Sequence, residues 1–195
     1  MNFKLKIEMN NVEEIYPKGL YFVAILPVNI TFLQLHKVIM ACTNYQDYHQ
    51  WDFKFSNEFE VKEINKFDLE MRENPFRPGT IFPDLLEAKD TVIKDFFTNY
   101  DKAKYTYDYG DGNEFTISRV ETYDFDLVPG VIEFAGKFPP EDVGFISGHF
   151  ELVEAIKAGK NATEEQIEMR EHYIELGYKN FDIKKANSRI AKIVL

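Results

Sequence analysis

The carboxylates best able to do chemistry lie in two short segments, and the first follows Tyr107. Asp108 and Asp111 flank Gly110, and carboxylate oxygens at this spacing can hold a divalent cation. The alternative is structural, because aspartate is an ordinary turn residue whose side chain accepts hydrogen bonds from its own backbone. The pattern favours the turn role for Asp111. For Asp108, which lies between two tyrosines, both roles stay open, since a buried carboxylate needs a partner.

The second acidic segment is Pro139-Pro140-Glu141-Asp142. Acidic residues that follow prolines are favoured at a helix N-terminus, where free N–H groups and the helix dipole stabilise negative charge. The competing interpretation places these carboxylates opposite the Gly110 turn and beside His49. The pattern favours the structural role, so we expect Glu141 and Asp142 to act as caps.

His49 is the best placed of the four histidines for acid–base work, although a lone histidine is more often structural. No two histidines have the spacing of a metal motif, and Cys42 has no second cysteine as a partner. The sequence therefore predicts no metal site and no cofactor. His36 lies one position off the apolar stripe of its helix and is expected at the boundary of the core. No phosphate-binding loop, dinucleotide fingerprint or nucleophile elbow occurs.

A sheet must position these residues. Alternation of apolar and polar residues predicts four half-buried strands, at 3–9, 51–55, 103–109 and 114–120. The last two flank a Gly/Asp/Asn cluster that tolerates the positive φ of a tight turn, so they predict a β-hairpin. The continuous apolar run at 20–27 predicts a central strand paired with the first. Residues 57–90 mix charges with prolines and are expected to form an irregular excursion with one short strand near 59–63.

Helical patterns occupy the rest of the chain. Thr31 is expected to cap a helix over 31–43, with Leu35, Val38, Ile39 and Cys42 on one apolar stripe. Further helices are predicted at 92–98 after a Thr91 cap, at 149–158, from a capping box at Thr163 to Gly177, and after an Asp182 cap.

The order of these elements predicts an α+β fold, a mainly antiparallel sheet covered on one side by helices, with a helical C-terminal third. We expect a single domain over 1–195 that is sheet-rich in 1–125 and helical in 141–195. The helix predicted at 149–158 carries Phe150, Val153 and Ile156 and is expected to end at Gly159.

Composition limits the partners. The chain carries 33 acidic and 23 basic residues, a net charge of −10 that repels a phosphate backbone and disfavours nucleic acid. No run reaches the roughly 18 apolar residues of a membrane span. Residues 1–25 lack a signal-peptide pattern, and the one cysteine favours a reducing compartment, so a cytoplasmic location is expected.

Three segments in order carry a resemblance to a known family. They are Thr31 to Phe53, with a Leu-His pair and Asp47-Tyr48-His49-Gln50-Trp51; the hairpin Tyr105-Thr106-Tyr107-Asp108-Tyr109-Gly110-Asp111; and Pro139 to Gly144, followed by Phe181-Asp182 and Asn187. Together they resemble the Ri-plasmid "open reading frame three-like" family, over about 3–193. The resemblance implies an antiparallel sheet with helices, and an association with plasmids and mobile elements. It supplies no activity. Where the family has a Trp and then a His after the hairpin, this chain has Asn113 and Phe115.

Two functions stay open. The first is a small intracellular binding or adaptor module, whose ligand is an unidentified protein or small molecule held between the hairpin turn and the Pro-Pro-Glu-Asp segment. The second is a cation-dependent hydrolase or nuclease-like enzyme that uses the carboxylates and His49. Absence of a catalytic motif favours binding over enzyme. The candidate binding surface comprises His49, Trp51, Tyr107, Asp108, Gly110, Asp111, Pro140, Glu141 and Asp142.

Overall fold

The computed structural model describes residues 1–43, 45–73, 80–176, 178 and 180–195. Its strands are β1 (Asn2–Met9), β2 (Tyr21–Pro27), β3 (Trp51–Phe55), β4 (Phe59–Lys62), β5 (Asp84–Glu87), β6 (Lys102–Tyr107), β7 (Asn113–Tyr123) and β8 (Gly130–Ala135). Its helices are α1 (Phe32–Thr43), α2 (Lys66–Arg72), α3 (Ile93–Phe97), α4 (Phe145–Ala158), α5 (Glu164–Glu175) and α6 (Ile183–Ile193), with a 3₁₀ turn at Gly159–Asn161. The expected helix end at Gly177 lies outside the described residues.

The strands form one sheet in the order β5-β4-β3-β6-β7-β1-β2-β8. All neighbours pair antiparallel except β4 and β5, which are parallel. The expected α+β architecture and the pairing of β2 with β1 are confirmed. β1 lies between β2 and β7, and every second residue from Phe3 to Met9 is apolar and buried, which fixes the face that β1 turns to the core.

The predicted hairpin is confirmed. β6 and β7 pair antiparallel, with Tyr105 opposite Phe115 and Tyr107 opposite Asn113, and both tyrosines and Phe115 are fully buried. The positive φ of the connecting turn falls at Asp108 and Gly112 and not at Gly110. Aspartate tolerates the left-handed region better than most residues, which explains its place at the first of these positions.

Helix α1 packs across the sheet as expected. Thr31 accepts a hydrogen bond from the Gln34 backbone and donates its own backbone N–H to the Gln34 side chain, a reciprocal cap. The predicted apolar stripe of α1 is buried. Helix α6 lies beside α1, with Ala186 and Ile190 in the core. Aromatic rings fill the space beneath, with Phe32 contacting Phe53 at 5.1 Å and Phe55 at 5.6 Å between centroids.

Three expectations about the elements need correction. The short strand expected near 59–63 is confirmed as β4, but the described part of 57–90 also contains α2 and β5, and Arg72 connects α2 to β4 and to the Pro83 carbonyl. Thr91 does not cap α3; its hydroxyl donates to the Glu87 carbonyl. Helix α4 ends at Ala158, before Gly159, as expected, but it begins earlier, at Phe145, and it buries His149, Leu152 and Ala155 while Phe150 and Ile156 are exposed. Among the described helices, none is both long and apolar enough to cross a bilayer.

Candidate functional site

His49 and Asp108 lie side by side at the end of the sheet where β3 begins and β6 ends; this end of the two strands is called the edge below. In this antiparallel pair Trp51 lies opposite Tyr107, and the next backbone hydrogen bond runs from the Asp108 N–H to the Gln50 carbonyl at 2.9 Å. The residue just before β3 and the residue just after β6 therefore meet across the end of the ladder. Pairing of two strands, rather than sequence proximity, brings the histidine and the first carboxylate together.

The Asp108 carboxylate also shapes its own turn. One oxygen, Oδ1, accepts the backbone N–H groups of Gly110 at 2.9 Å and Asp111 at 3.3 Å. The other oxygen, Oδ2, lies 3.6 Å from His49 Nε2. Oδ1 thus has the turn role that the sequence allowed for Asp108, while Oδ2 lies toward His49. Gly110 contributes its backbone amide to this turn.

The segment 139–144 closes over this edge through side-chain hydrogen bonds. Glu141 accepts from the Tyr107 hydroxyl and, at 2.7 Å, from the backbone N–H of Gln46. Asp142 accepts from the Tyr48 hydroxyl at 2.9 Å. Asp111 accepts the Gly144 N–H at 3.1 Å. Burial, followed by the bond to Glu141, raises the pKa of Tyr107, so this phenol stays a hydrogen-bond donor.

The expectation that Glu141 and Asp142 cap a helix is wrong. Helix α4 starts three residues later, its N-cap is Gly144 in the left-handed conformation, and no side chain caps it. The two carboxylates point instead toward β3 and β6. Gly148 permits this path, because a Cβ there would overlap the Val143 carbonyl.

His49 Nε2 lies among three carboxylates. It is 3.2 Å from Asp142 Oδ1, 3.6 Å from Asp108 Oδ2 and 4.0 Å from Glu141 Oε1. The atom is buried, yet none of the described residues forms a well-oriented hydrogen bond with it. Buried polar atoms are normally satisfied by protein, water or an ion, so this nitrogen is a candidate ligand atom.

Tyr45 supplies a second buried polar atom with no hydrogen bond to any described residue, its hydroxyl. The ring is 6 % exposed and stacks on Tyr107, with centroids 4.9 Å apart and planes at 12°. Burial and then the charges of Glu141 and Asp111 hold the pKa of Tyr45 well above its ordinary value. The same acidic cluster therefore acts on both unsatisfied groups.

One ligand atom from each of His49, Asp108 and Asp142 fits within a sphere of metal coordination, since these atoms lie within 4.8 Å of one another. One imidazole nitrogen and two carboxylate oxygens suit Zn²⁺, Mn²⁺ or Fe²⁺ better than Ca²⁺, which prefers oxygen ligands alone. Three protein ligands leave further coordination positions for water or a ligand. Glu141, bonded to Tyr107, stands next to this group.

His36 lies behind the site and is fully buried, so its expected place at the core boundary is wrong. Its Nδ1 is 2.8 Å from the Tyr105 hydroxyl, and its Nε2 is 2.6 Å from Asp47 Oδ1. Burial lowers the pKa of His36, and the bond to Asp47 opposes this only in part. A neutral imidazole fits both contacts when Nε2–H donates to Asp47 and Nδ1 accepts from Tyr105.

A cleft of about 240 Å³ opens beside the acidic cluster. Tyr48, Glu141 and Asp142 line one side, together with Pro140. Residues from the C-terminal helices line the other side, among them Tyr173 and Arg189. The Tyr173 hydroxyl donates to the Asp142 carbonyl at 3.2 Å and so connects the two sides.

The expected surface is brought together in large part. His49, Tyr107, Asp108, Asp111, Glu141 and Asp142 all lie at this edge. Trp51 lies in the core, stacked on His36. Phe115, where the family resemblance implied a histidine, is also buried in the core, 5.7 Å from the Tyr105 ring.

The sequence did not assign Tyr45, Asp47 or Tyr48 to the site, because 44–47 has the composition of a turn and Asp47 and Tyr48 entered only through the family resemblance. The available signal was the aromatic pair Tyr45 and Tyr48 in a segment that would otherwise be polar.

Comparison with known proteins identifies a family, a relative and a solved structure to which this chain is similar. A family described as plasmid pRiA4b ORF-3-like protein matches residues 2–189. The uncharacterised protein y4hQ of Sinorhizobium fredii is 30% identical over 156 residues, which cover 78% of this chain and 72% of that protein. The crystal structure of a protein of unknown function, MM3350 from Methanosarcina mazei Go1, has a TM-score of 0.69 and 23% identity, over 94% of this chain and 95% of that one. This last likeness concerns the fold alone.

Proposed function

The chain belongs to the plasmid pRiA4b ORF-3-like family, and for this member we propose a small binding protein that holds a divalent cation through His49, Asp108 and Asp142. One observation carries the proposal. The buried Nε2 of His49 has no hydrogen bond to a described residue, although carboxylate oxygens surround it at 3.2 to 4.0 Å. A cation between them would ligate the nitrogen and neutralise the carboxylates.

Charge supports the same conclusion. Asp108, Glu141 and Asp142 approach one histidine, and like charges this close destabilise one another unless a proton or cation intervenes. Hydrogen bonds from Tyr107 and Tyr48 orient Glu141 and Asp142 from outside the group. Bonds of this kind fix the direction of metal ligands in known sites.

Calorimetric titration with Zn²⁺, Mn²⁺ and Mg²⁺ tests the proposal. We expect saturable binding to wild type, strongest for Zn²⁺ or Mn²⁺, and a rise in melting temperature from ligation of the native state. Asp108→Asn and Asp142→Asn should each weaken binding at least tenfold, since both keep the side-chain shape but remove a charged ligand. Both positions have positive φ, which asparagine tolerates.

Two matched variants separate ligation from general charge. Asp124→Asn removes an exposed carboxylate far from the cluster in the sequence and should leave binding unchanged. Asp111→Asn retains an oxygen that can accept the Gly144 N–H and should also bind the cation normally. Equal binding by wild type and Asp142→Asn would overturn the proposal.

A second candidate is a cation-dependent hydrolase, favoured by the position of Asp142 on the wall of the cleft. A cation held by three protein ligands can activate water or polarise a substrate in its open positions. Release of p-nitrophenol from p-nitrophenyl phosphate or acetate, assayed with each metal, would support the enzyme. Metal binding without turnover would reject the hydrolase and support the binding function.

A further inference from the structure

We propose that the cleft beside the cation site binds a small organic anion, an aromatic or apolar body carrying a carboxylate or phosphate. The inference rests on the proposed function, because the anion would bridge the cation and a basic wall of the cleft. Asp142 is a ligand of the proposed cation and Glu141 lies beside it, and both residues line the cleft. One ligand can therefore contact both.

The basic wall begins with Arg189 on α6. Its side chain is half-buried at the cleft, and its guanidinium forms no hydrogen bond or ion pair with a described residue. Its positive charge reaches the cleft interior, since it opposes the effect of burial on the pKa of Cys42, another lining residue. A guanidinium fork presents paired donors that match a carboxylate or phosphate.

Lys137 adds a second cation at the same cleft. Its ammonium lies 3.4 Å from the centroid of the Tyr178 ring, and no acidic side chain in the described chain forms an ion pair with it. Burial lowers the pKa of this lysine. Glu141, Asp142 and Asp182 also line the cleft, yet none of them forms an ion pair with Arg189 or Lys137 in the described part of the chain. An incoming anion would supply the missing charge.

The remaining lining sets the body of the ligand. Phe138, Tyr173, Tyr178 and Phe181 present rings to the cleft, so a flat or apolar body would be buried there. The volume of about 240 Å³ is smaller than the roughly 300 Å³ at which drug-sized sites begin. A single-ring compound fits this space, and an extended polymer does not. Nucleic acid is also opposed by the net charge of −10.

Phenyl phosphate and benzoate serve as probes, with benzamide as the uncharged control. We expect calorimetry to detect binding of one or both anions by the cation-loaded protein, and at least tenfold weaker binding of benzamide. The stronger of the two anions identifies phosphate or carboxylate as the preferred group. Equal affinity for benzamide and both anions, or binding of none of the three, would overturn the inference.

Variants separate this inference from the cation proposal. Arg189→Gln should lose at least tenfold in anion affinity while it binds the cation as wild type does. Lys192→Gln, a neutralisation at an exposed position of the same helix, should change neither. Arg189→Lys keeps the charge without the fork and should recover part of the affinity.

The metal titration is read first in each variant. Normal cation binding with anion affinity unchanged by Arg189→Gln would reject the anion site and leave the cation site standing. If wild type binds no cation, the proposed function is rejected instead. Anion binding that is the same with and without metal would show that the ligand does not bridge to the cation.

Discussion

The imidazole of His36 lies flat against the indole of Trp51, with ring centroids 4.0 Å apart and planes at 10°. This stack connects helix α1 to strand β3 directly beneath the residues that carry the candidate site. The same imidazole contacts Asp47 on one side and Tyr105 on the other. One side chain therefore joins the helix, the sheet and the loop that leads to His49.

We expect His36→Ala to lower the free energy of unfolding by about 3 kcal/mol or more, because it opens a cavity and leaves the Tyr105 hydroxyl unsatisfied. Asp47→Asn keeps an acceptor for Nε2–H and tolerates the positive φ of 66° at that position, so it should cost less than about 1 kcal/mol. Urea unfolding measures both. A cost for His36→Ala as small as that for Asp47→Asn would mean that the contacts do not stabilise the fold.

Stability should fall as the pH drops below about 6.5. Burial lowers the pKa of His149 from 6.5 to about 4 and also lowers the pKa of His36. Between those pH values the unfolded chain binds protons that the folded chain refuses, so protonation favours unfolding. For His149 the loss reaches on the order of 3 kcal/mol near pH 4.

Thermal melts of wild type, His149→Gln and His172→Gln from pH 7.5 to 4.5 check this expectation. His149→Gln should flatten the decline, whereas the exposed His172 should not matter. The Tyr16 hydroxyl and Lys137 are the polar neighbours of His149 and are present in all three proteins. Parallel declines in the two variants would contradict the assignment.

Cys42 should resist thiol reagents in the folded protein. It is 3 % exposed on the stripe of α1, and burial raises the pKa of its thiol far above the ordinary value. Because the thiolate is the reactive form, we expect labelling by Ellman's reagent to be slow in buffer and rapid in about 8 M urea, which unfolds the protein. Fast labelling in buffer would show that the α1 stripe opens readily.

The hairpin turn should be more sensitive at Gly112 than at Gly110. Gly112 has φ of 60°, where a Cβ costs about 1 kcal/mol, and its N–H donates to the Asp108 carbonyl at 2.7 Å. Gly110 lies outside the left-handed region. We expect Gly112→Ala to lower the melting temperature by several degrees and Gly110→Ala to lower it less. A larger loss of melting temperature for Gly110→Ala than for Gly112→Ala would show that Gly110 is the position that requires glycine.

Strands and helices with a regular period were readable from the sequence, and β1, α1 and the β6–β7 hairpin were placed correctly. The period of a pattern reports burial on one face, so it fails where burial depends on distant partners. His36 is such a case, because its contacts with Tyr105 and Asp47 satisfy a polar group that local pattern places at the boundary. Glu141 and Asp142 are another, since proline followed by acid resembles a helix start whatever lies opposite.

The residues of the candidate site could be predicted from the sequence in part, but their arrangement could not. Residue types identified the carboxylates and His49, but the distances among them follow from the pairing of β3 with β6 and from the closure of 139–144. The aromatic pair Tyr45 and Tyr48 was the only local signal for Tyr45, whose stack on Tyr107 and buried hydroxyl follow from the tertiary fold.

The position of β1 in the sheet governs the order in which the molecule can be built. Its partner β7 pairs Asn2 with Tyr123, so one edge of the first strand stays open until more than a hundred further residues have left the ribosome. Such long-range pairing slows folding and leaves an apolar strand edge exposed in the meantime. A nascent chain stalled before β7 should therefore depend on chaperones, and fragments that end near residue 110 should aggregate.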